Sequence, residues 1–224
     1  MAPYADPPSG DTRERVRETA FKLFGRFGYD GVSMITVARG ASLTKAALYW
    51  HYASKEALYA DCMREVIGVF EQHVFAPAAR EQDPIEQIFA LFGGLEALVD
   101  DPRLVDGIAG YWLKPSTAAV EEARAVQDGF EAMAEQLVQG ILEEARAAQA
   151  LNVEGSMRDI ARAFIALMEA VVLPLGNRSA RDHRRLVGVL AHIFFQAHAR
   201  APELATRAAR LLDAAPEQRR TATK

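Results

Sequence analysis

Apolar residues recur at three- and four-residue spacing along most of the chain, the period of α-helices with one buried side. Val16, Ala20, Leu23, Phe24 and Phe27 form the first such stripe, and Asp11 with Glu14 three residues on predicts a capping box ahead of it. Gly28 predicts the end of that helix, before a Tyr29-Asp30-Gly31 turn. Ser33 suits the cap of a second helix over about 33–40, with Met34, Val37 and Ala38 inward, and Thr44 the cap of a third over about 44–52. Only about three residues separate the two. Short helices across so tight a turn predict a helix-turn-helix. Ser54 then suits the cap of a fourth helix running from Lys55 to about His73.

Helical period continues over about 84–100, 102–113, 116–149 (with a break expected near Gly129 or Gly140), 156–175, 181–199 and 202–214. Pro77, Pro84, Pro102, Pro115, Pro174 and Pro202 sit at or beside these boundaries. Neither strand alternation nor an internal repeat is visible. The expected fold is all-α, with an N-terminal three-helix helix-turn-helix domain over 11–54 and a larger helical domain over 55–215. A disordered arm is expected over 1–10 and a disordered tail over 216–224.

Composition changes this picture little. Half of the 224 residues are hydrophobic, enough for a sizeable core. The formal charge of −4 is unevenly shared: residues 1–62 hold 8 Lys and Arg against 7 Asp and Glu, residues 63–224 hold 18 against 23. Bulk charge therefore says little about nucleic acid, and local placement must decide. A single cysteine, Cys62, excludes an intramolecular disulfide and suits a reducing compartment. The start of the chain lacks the basic and apolar regions of a signal peptide. The most apolar run, 160–175, contains Arg162 and Glu169 and is short for a bilayer. A cytoplasmic protein without a membrane partner is expected.

Candidate chemistry concentrates in SLTKAALYWHYASKE, residues 42–56. On a helix over 44–52, Leu48 and Tyr52 share one side with Leu43 behind them, and Lys45, Ala46, Tyr49 and Trp50 share the other. A duplex groove suits that second side: lysine neutralises phosphate, a tyrosine hydroxyl bonds it, and apolar surface meets a thymine methyl. The free N–H groups at the starts of helices three and four also favour phosphate, with Lys55 beside the latter. A Tyr-Trp pair packed on a later helix, or a helical adaptor whose Lys45–Trp50 face binds a protein, is the competing reading. His51 alone reads as a structural histidine more readily than as a contact.

Residues 12–62 resemble the DNA-binding domain of the tetracycline-repressor (TetR) family of bacterial transcriptional regulators. The resemblance rests on Ala20, Leu23-Phe24, Gly28-Tyr29, Ser33, Val37-Ala38, Leu43-Thr44, Leu48-Tyr49, His51-Tyr52, Ser54-Lys55-Glu56 and Leu58. It implies a recognition helix starting at Thr44, with Lys45 and Ala46 at base edges, Tyr49 and His51 on phosphates and Trp50 at the groove. Lys55 would hold a phosphate, and Ser33 and Thr36 would reach backbone or bases from helix two. Three departures stand out. The usual turn glycine is Ser42, which calls for a positive φ at serine or an altered turn. Gly40 replaces the usual alanine and would relax the same corner. Residues 1–10 hold no Lys or Arg, so a minor-groove arm is not expected. Arg13, Arg15 and Arg17 would touch the DNA backbone or, for at least two of them, form a solvated face.

The same resemblance implies a C-terminal domain that binds an effector and dimerises through its last two long helices. The interface would use Phe164, Leu167, Met168, Val171 and Leu175 of the first, and Leu190, Phe194 and Ala197 of the second. A dimer would face a palindromic double-stranded DNA operator with half-sites roughly 34–36 Å apart or a multiple of it. A small hydrophobic or aromatic effector, of unknown identity, would be received among Phe70, His73, Phe89, Phe92, Tyr111, Trp112, Phe130 and Met133, with Gln127 as a further polar handle. No cofactor is expected. Five histidines and one cysteine form no HExxH, CxxC or phosphate-loop pattern, which argues against an enzyme.

Overall fold

Ser33 and Thr44 lie where two short helices begin, and both side chains do what their positions ask. In the computed structural model, which describes residues 10–113, 115, 120–176 and 179–213, each accepts a backbone N–H bond from the residue three ahead. The N-terminal arm up to residue 9, the 216–224 tail and the expected helix start at 116–119 lie outside the described residues. All named elements are helical; the described residues hold one isolated bridge, Leu151 with Ala199. The chain divides into two compact units, residues 1–69 with 102–131, and residues 70–101 with 132–224.

In the first unit, α1 (Gly10–Phe27), α2 (Met34–Gly40), α3 (Lys45–His51) and α4 (Lys55–Phe70) follow the apolar pattern closely. Val16, Ala20, Phe24, Val37, Leu48 and Leu58 are fully buried. Ser54 caps α4, accepting from the Ala57 N–H at 3.1 Å. α1 starts at Gly10, so Asp11 lies inside it and not at its cap. Phe27, assigned to the buried stripe, is 49% exposed under the Arg26 guanidinium, and Phe21 is buried in its place. The reason is a second covering element on α1.

That element is the segment 102–113, expected as a helix but folded as two 3₁₀ turns, Pro102–Leu104 and Ala109–Trp112. Its glycines meet the backbone of α1 directly. A Cβ on Gly110 would stand 2.1 Å from the Phe24 carbonyl oxygen, and one on Gly25 would stand 2.4 Å from that of Gly107. Tyr111 closes the contact by donating its hydroxyl to the Phe21 carbonyl at 3.0 Å. A regular helix carrying Cβ atoms at 107 and 110 has no room there. The first eleven residues of α7 (Glu121–Ala147) complete this unit; the helix runs unbroken through Gly129 and Gly140.

The second unit begins with a π turn, Glu71–Phe75, and α5 (Ala76–Arg80), so helical backbone continues past the stop expected near His73. Pro77 explains the turn. It has no N–H for the His73 carbonyl, and the ladder shifts so that Ala76 donates to Glu71. The freed carbonyl lies against Gly94, where a Cβ would be 2.3 Å away. α6 (Pro84–Ala97), α8 (Met157–Val172), α9 (Ala180–His198) and α10 (Pro202–Asp213) follow, with Asp83, Ser156 and Ser179 as caps. Phe89, Phe92, Phe164, Phe194 and Phe195 form the centre, Phe89 stacked on Phe195 at 4.4 Å.

Candidate nucleic-acid interface

The turn between α2 and α3 fixes how the candidate face is presented. Ala38 accepts from the Leu43 N–H at 2.8 Å and Arg39 from the Ser42 N–H at 3.1 Å, the paired bonds of a Schellman end. Ser42 occupies the left-handed position with φ 58°, so the serine accepts the conformation that glycine would take more easily. Gly40 has another reason to lack a side chain: a Cβ there would meet the Thr19 methyl at 2.7 Å. It lets α2 close on α1 and does not relax the corner.

α3 is then anchored on one side only. Leu48 and Tyr52 are buried, and the Tyr52 hydroxyl donates to Asp61 at 2.6 Å, with burial pushing its pKa up to about 12. Lys45, Ala46, Tyr49 and Trp50 face outward, Trp50 being 71% exposed, and the Lys45 ammonium sits 5.6 Å from the Tyr49 ring centre. Ser33, Thr36 and Thr44 are exposed at the starts of α2 and α3. His51 turns partly inward, its Nε2 buried and without a hydrogen bond. Lys55 is half-buried, its ammonium 3.9 Å from the centre of the Tyr29 ring, and burial lowers its pKa.

Arg13 and Arg15 of α1 are exposed, as a solvated face requires, and both they and Arg17 also have partners within the unit. Arg13 lies over the Tyr52 ring and beside Asp61, Arg15 donates to the Ala41 carbonyl at 3.2 Å, and Arg17 pairs with Glu14 and Glu65. They brace α1 against the turn, α3 and α4. Sequence reasoning missed Ile35, 53% exposed beside Thr36, and the exposed Arg39 of the last turn of α2. A helical wheel of α2 signals both, since neither shares the side of Met34, Val37 and Ala38.

The residues assigned to an effector site are divided between the units. Tyr111 and Trp112, with Tyr59, Met63, Val120 and Gln127, line a cavity of about 390 Å³ in the first unit. Phe130 belongs to that unit without lining it, whereas Phe70, His73, Phe89, Phe92 and Met133 belong to the second. Phe89 and Phe92 are packed in the phenylalanine centre, and His73 Nε2 is 2.9 Å from Asp101.

The dimer assignment needs a similar correction. Phe164, Met168, Val171, Leu175 and Phe194 are buried in their own protomer, because the aromatic centre claims that side of α8 and α9. Of the assigned residues, Leu167 and Ala197 are exposed and Leu190 is half-buried. Ile193, one residue from Phe194, is 55% exposed and Leu167 is 52% exposed. Among the described residues, no helix is long and apolar enough to cross a membrane, and no three His, Cys, Asp or Glu side chains gather as metal ligands would.

Residues 16–62, which span this face, match the sequence model of bacterial regulatory proteins, tetR family. Over those residues the chain carries the N-terminal region of the tetR family. It is 30% identical over 99 residues to the "Probable acrEF/envCD operon repressor" of Escherichia coli K12, a match over 41% of this chain and 43% of that protein. The chain thus spans less than half the length of that relative. Its fold is that of a TetR transcriptional regulator from Chloroflexus aurantiacus, with a TM-score of 0.67 at 22% identity over 85% of this chain and 98% of that one. It also matches the protein of a SmeT–triclosan complex, with a TM-score of 0.62 at 18% identity over 85% and 92% of the two chains.

Proposed function

We propose that this chain is a DNA-binding transcriptional repressor of the tetR family that grips a palindromic operator as a homodimer and is released by a small hydrophobic or aromatic effector. The observation that carries the reading is the one-sided burial of α3. A seven-residue helix with a fully buried Leu48 leaves Lys45, Ala46, Tyr49 and Trp50 uncovered beside the capped starts of α2 and α4. In this reading residues 11–54 are the DNA-binding module. Lys45, Ala46 and Trp50 meet base edges; Tyr49, His51 and Lys55 hold phosphates; Ser33, Thr36 and Thr44 add contacts from the helix starts.

Residues 55–215 bind the effector and dimerise. The cavity of about 390 Å³, with Tyr111 and Trp112 on its wall and Arg124, Gln127 and Asp128 as polar partners, has the size that suits a small aromatic molecule. The triclosan complex of SmeT, a protein of the same fold, favours the same class of effector. The outward apolar positions Ala163, Leu167 and Ala170 of α8, with Leu190, Ile193 and Ala197 of α9, supply a stripe for the partner. A single buried cysteine fits work in the reducing cytoplasm.

Selection from a pool of random duplexes tests the proposal. Enrichment of a palindrome, bound with an affinity that falls steeply as salt rises, is the expected outcome. No enrichment, with weak and salt-insensitive binding, would mean that the Lys45–Trp50 face meets a protein instead.

A further inference from the structure

Lys55 and Glu56 put opposite charges side by side in the first turn of α4. Such neighbours are free to screen each other, and a carboxylate there competes with any incoming phosphate for the helix start. The structure keeps them apart with one ring. Gly28, at φ 68°, turns the chain so that Tyr29 enters the core, where it stacks with Phe24 and meets Tyr59 edge-on at 5.1 Å. Held there, the Tyr29 ring offers its face to the Lys55 ammonium at 3.9 Å and its hydroxyl to Glu56 Oε1 at 2.5 Å. The shifts agree with this sorting: burial lowers the pKa of Lys55, and the tyrosine hydroxyl lowers that of Glu56.

We infer that Tyr29 is a positioning residue for DNA binding, seating the Lys55 ammonium on its ring and tying back the Glu56 carboxylate so that Glu56 does not compete with a phosphate for the lysine. The inference rests on the proposed phosphate contact of Lys55. Tyr29 itself is buried and touches no DNA in this arrangement. An ammonium seated on an aromatic face loses less freedom on binding than a solvated one, and the ring attraction does not use up its outward-pointing protons.

The test is a double-mutant cycle on the full chain, read as affinity for a 30-base-pair duplex (about three helical turns) across a salt series. In the wild-type background Lys55→Ala should weaken binding about tenfold and reduce the salt slope by about one. In a Tyr29→Leu background the same change should cost less than about threefold, because an unseated lysine contributes little. Tyr29→Phe keeps the seat but frees Glu56; it should retain the full Lys55 effect on the salt slope, bind about threefold more weakly, and be restored by adding Glu56→Gln. That pair decides the matter if Tyr29→Leu does not fold.

A merely structural tyrosine would leave the lysine's own signal unmoved. The Lys55 ε-methylene protons should be shifted upfield by the ring in the wild type and in Tyr29→Phe, and return to ordinary positions in Tyr29→Leu. Equal cost of Lys55→Ala in both backgrounds, or unshifted ε-protons in the wild type, overturns the inference. Wild-type protein that binds no duplex in a salt-dependent way overturns the regulator reading as well, so the two failures are told apart.

Discussion

At the scale of single residues, the fold depends on where a Cβ is absent and where one is tolerated. Ser42 carries a side chain in a left-handed position that the surrounding Schellman bonds impose. Ser42→Gly should raise stability by about 1 kcal/mol, the relief of strain outweighing the greater freedom of the unfolded chain; urea denaturation reads it directly. Gly110 is the opposite case. Gly110→Ala places a methyl 2.1 Å from the Phe24 carbonyl oxygen and should cost on the order of 3 kcal/mol, seen as a lowered melting temperature. The turn at Ser42 was legible because a serine in a glycine's place posed the question, and only backbone geometry answered it. The packing of Gly110 on α1 was not legible, since no local pattern names a partner as far along the chain as Phe24.

At the scale of elements, the two faces of α3 could be read from spacing because tertiary packing followed the local period. Leu48 and Tyr52 are buried and Trp50 is not. Trp50→Ala should therefore leave stability within about 0.5 kcal/mol of the wild type while changing which operator variants are preferred in competition binding. An unchanged preference would remove Trp50 from the base-reading set. The segment 102–113 misled the same method. Its apolar spacing is helical, but Gly107 and Gly110 serve a backbone-to-backbone contact that periodicity cannot express. α8 and α9 misled it more subtly. Both are apolar on two sides, and spacing alone did not say that the phenylalanine centre takes one of them. The candidate interface was legible in its outward residues, whereas the effector set mixed residues from two separate units.

At the scale of the whole molecule, the proposed function requires two recognition helices, so a change on the outward stripe should act far from the proposed DNA contacts. Ile193→Asp should give folded monomers by ultracentrifugation and lose preference for a palindrome, with helicity intact. Phe194→Asp, one residue on, should instead unfold the chain, because its charge would be buried among three other phenylalanines at a cost above about 4 kcal/mol. A dimer that survives Ile193→Asp places the partner on another surface. The contrast between adjacent positions is sharper than either result alone.

The glycine contact between α1 and 107–111 has a consequence for engineering. A regulator is easily imagined as a DNA-reading cassette of residues 11–54 that can be moved onto a new sensor. Here the cassette has a fitted counterpart later in the chain, shaped to bare backbone at Gly25 and Gly28. A graft that takes α1 without the Gly107–Tyr111 segment exposes Phe21 and Phe24 to whatever chain the new body supplies. The transplantable piece is discontinuous: the first four helices travel with the glycine turns that cover them.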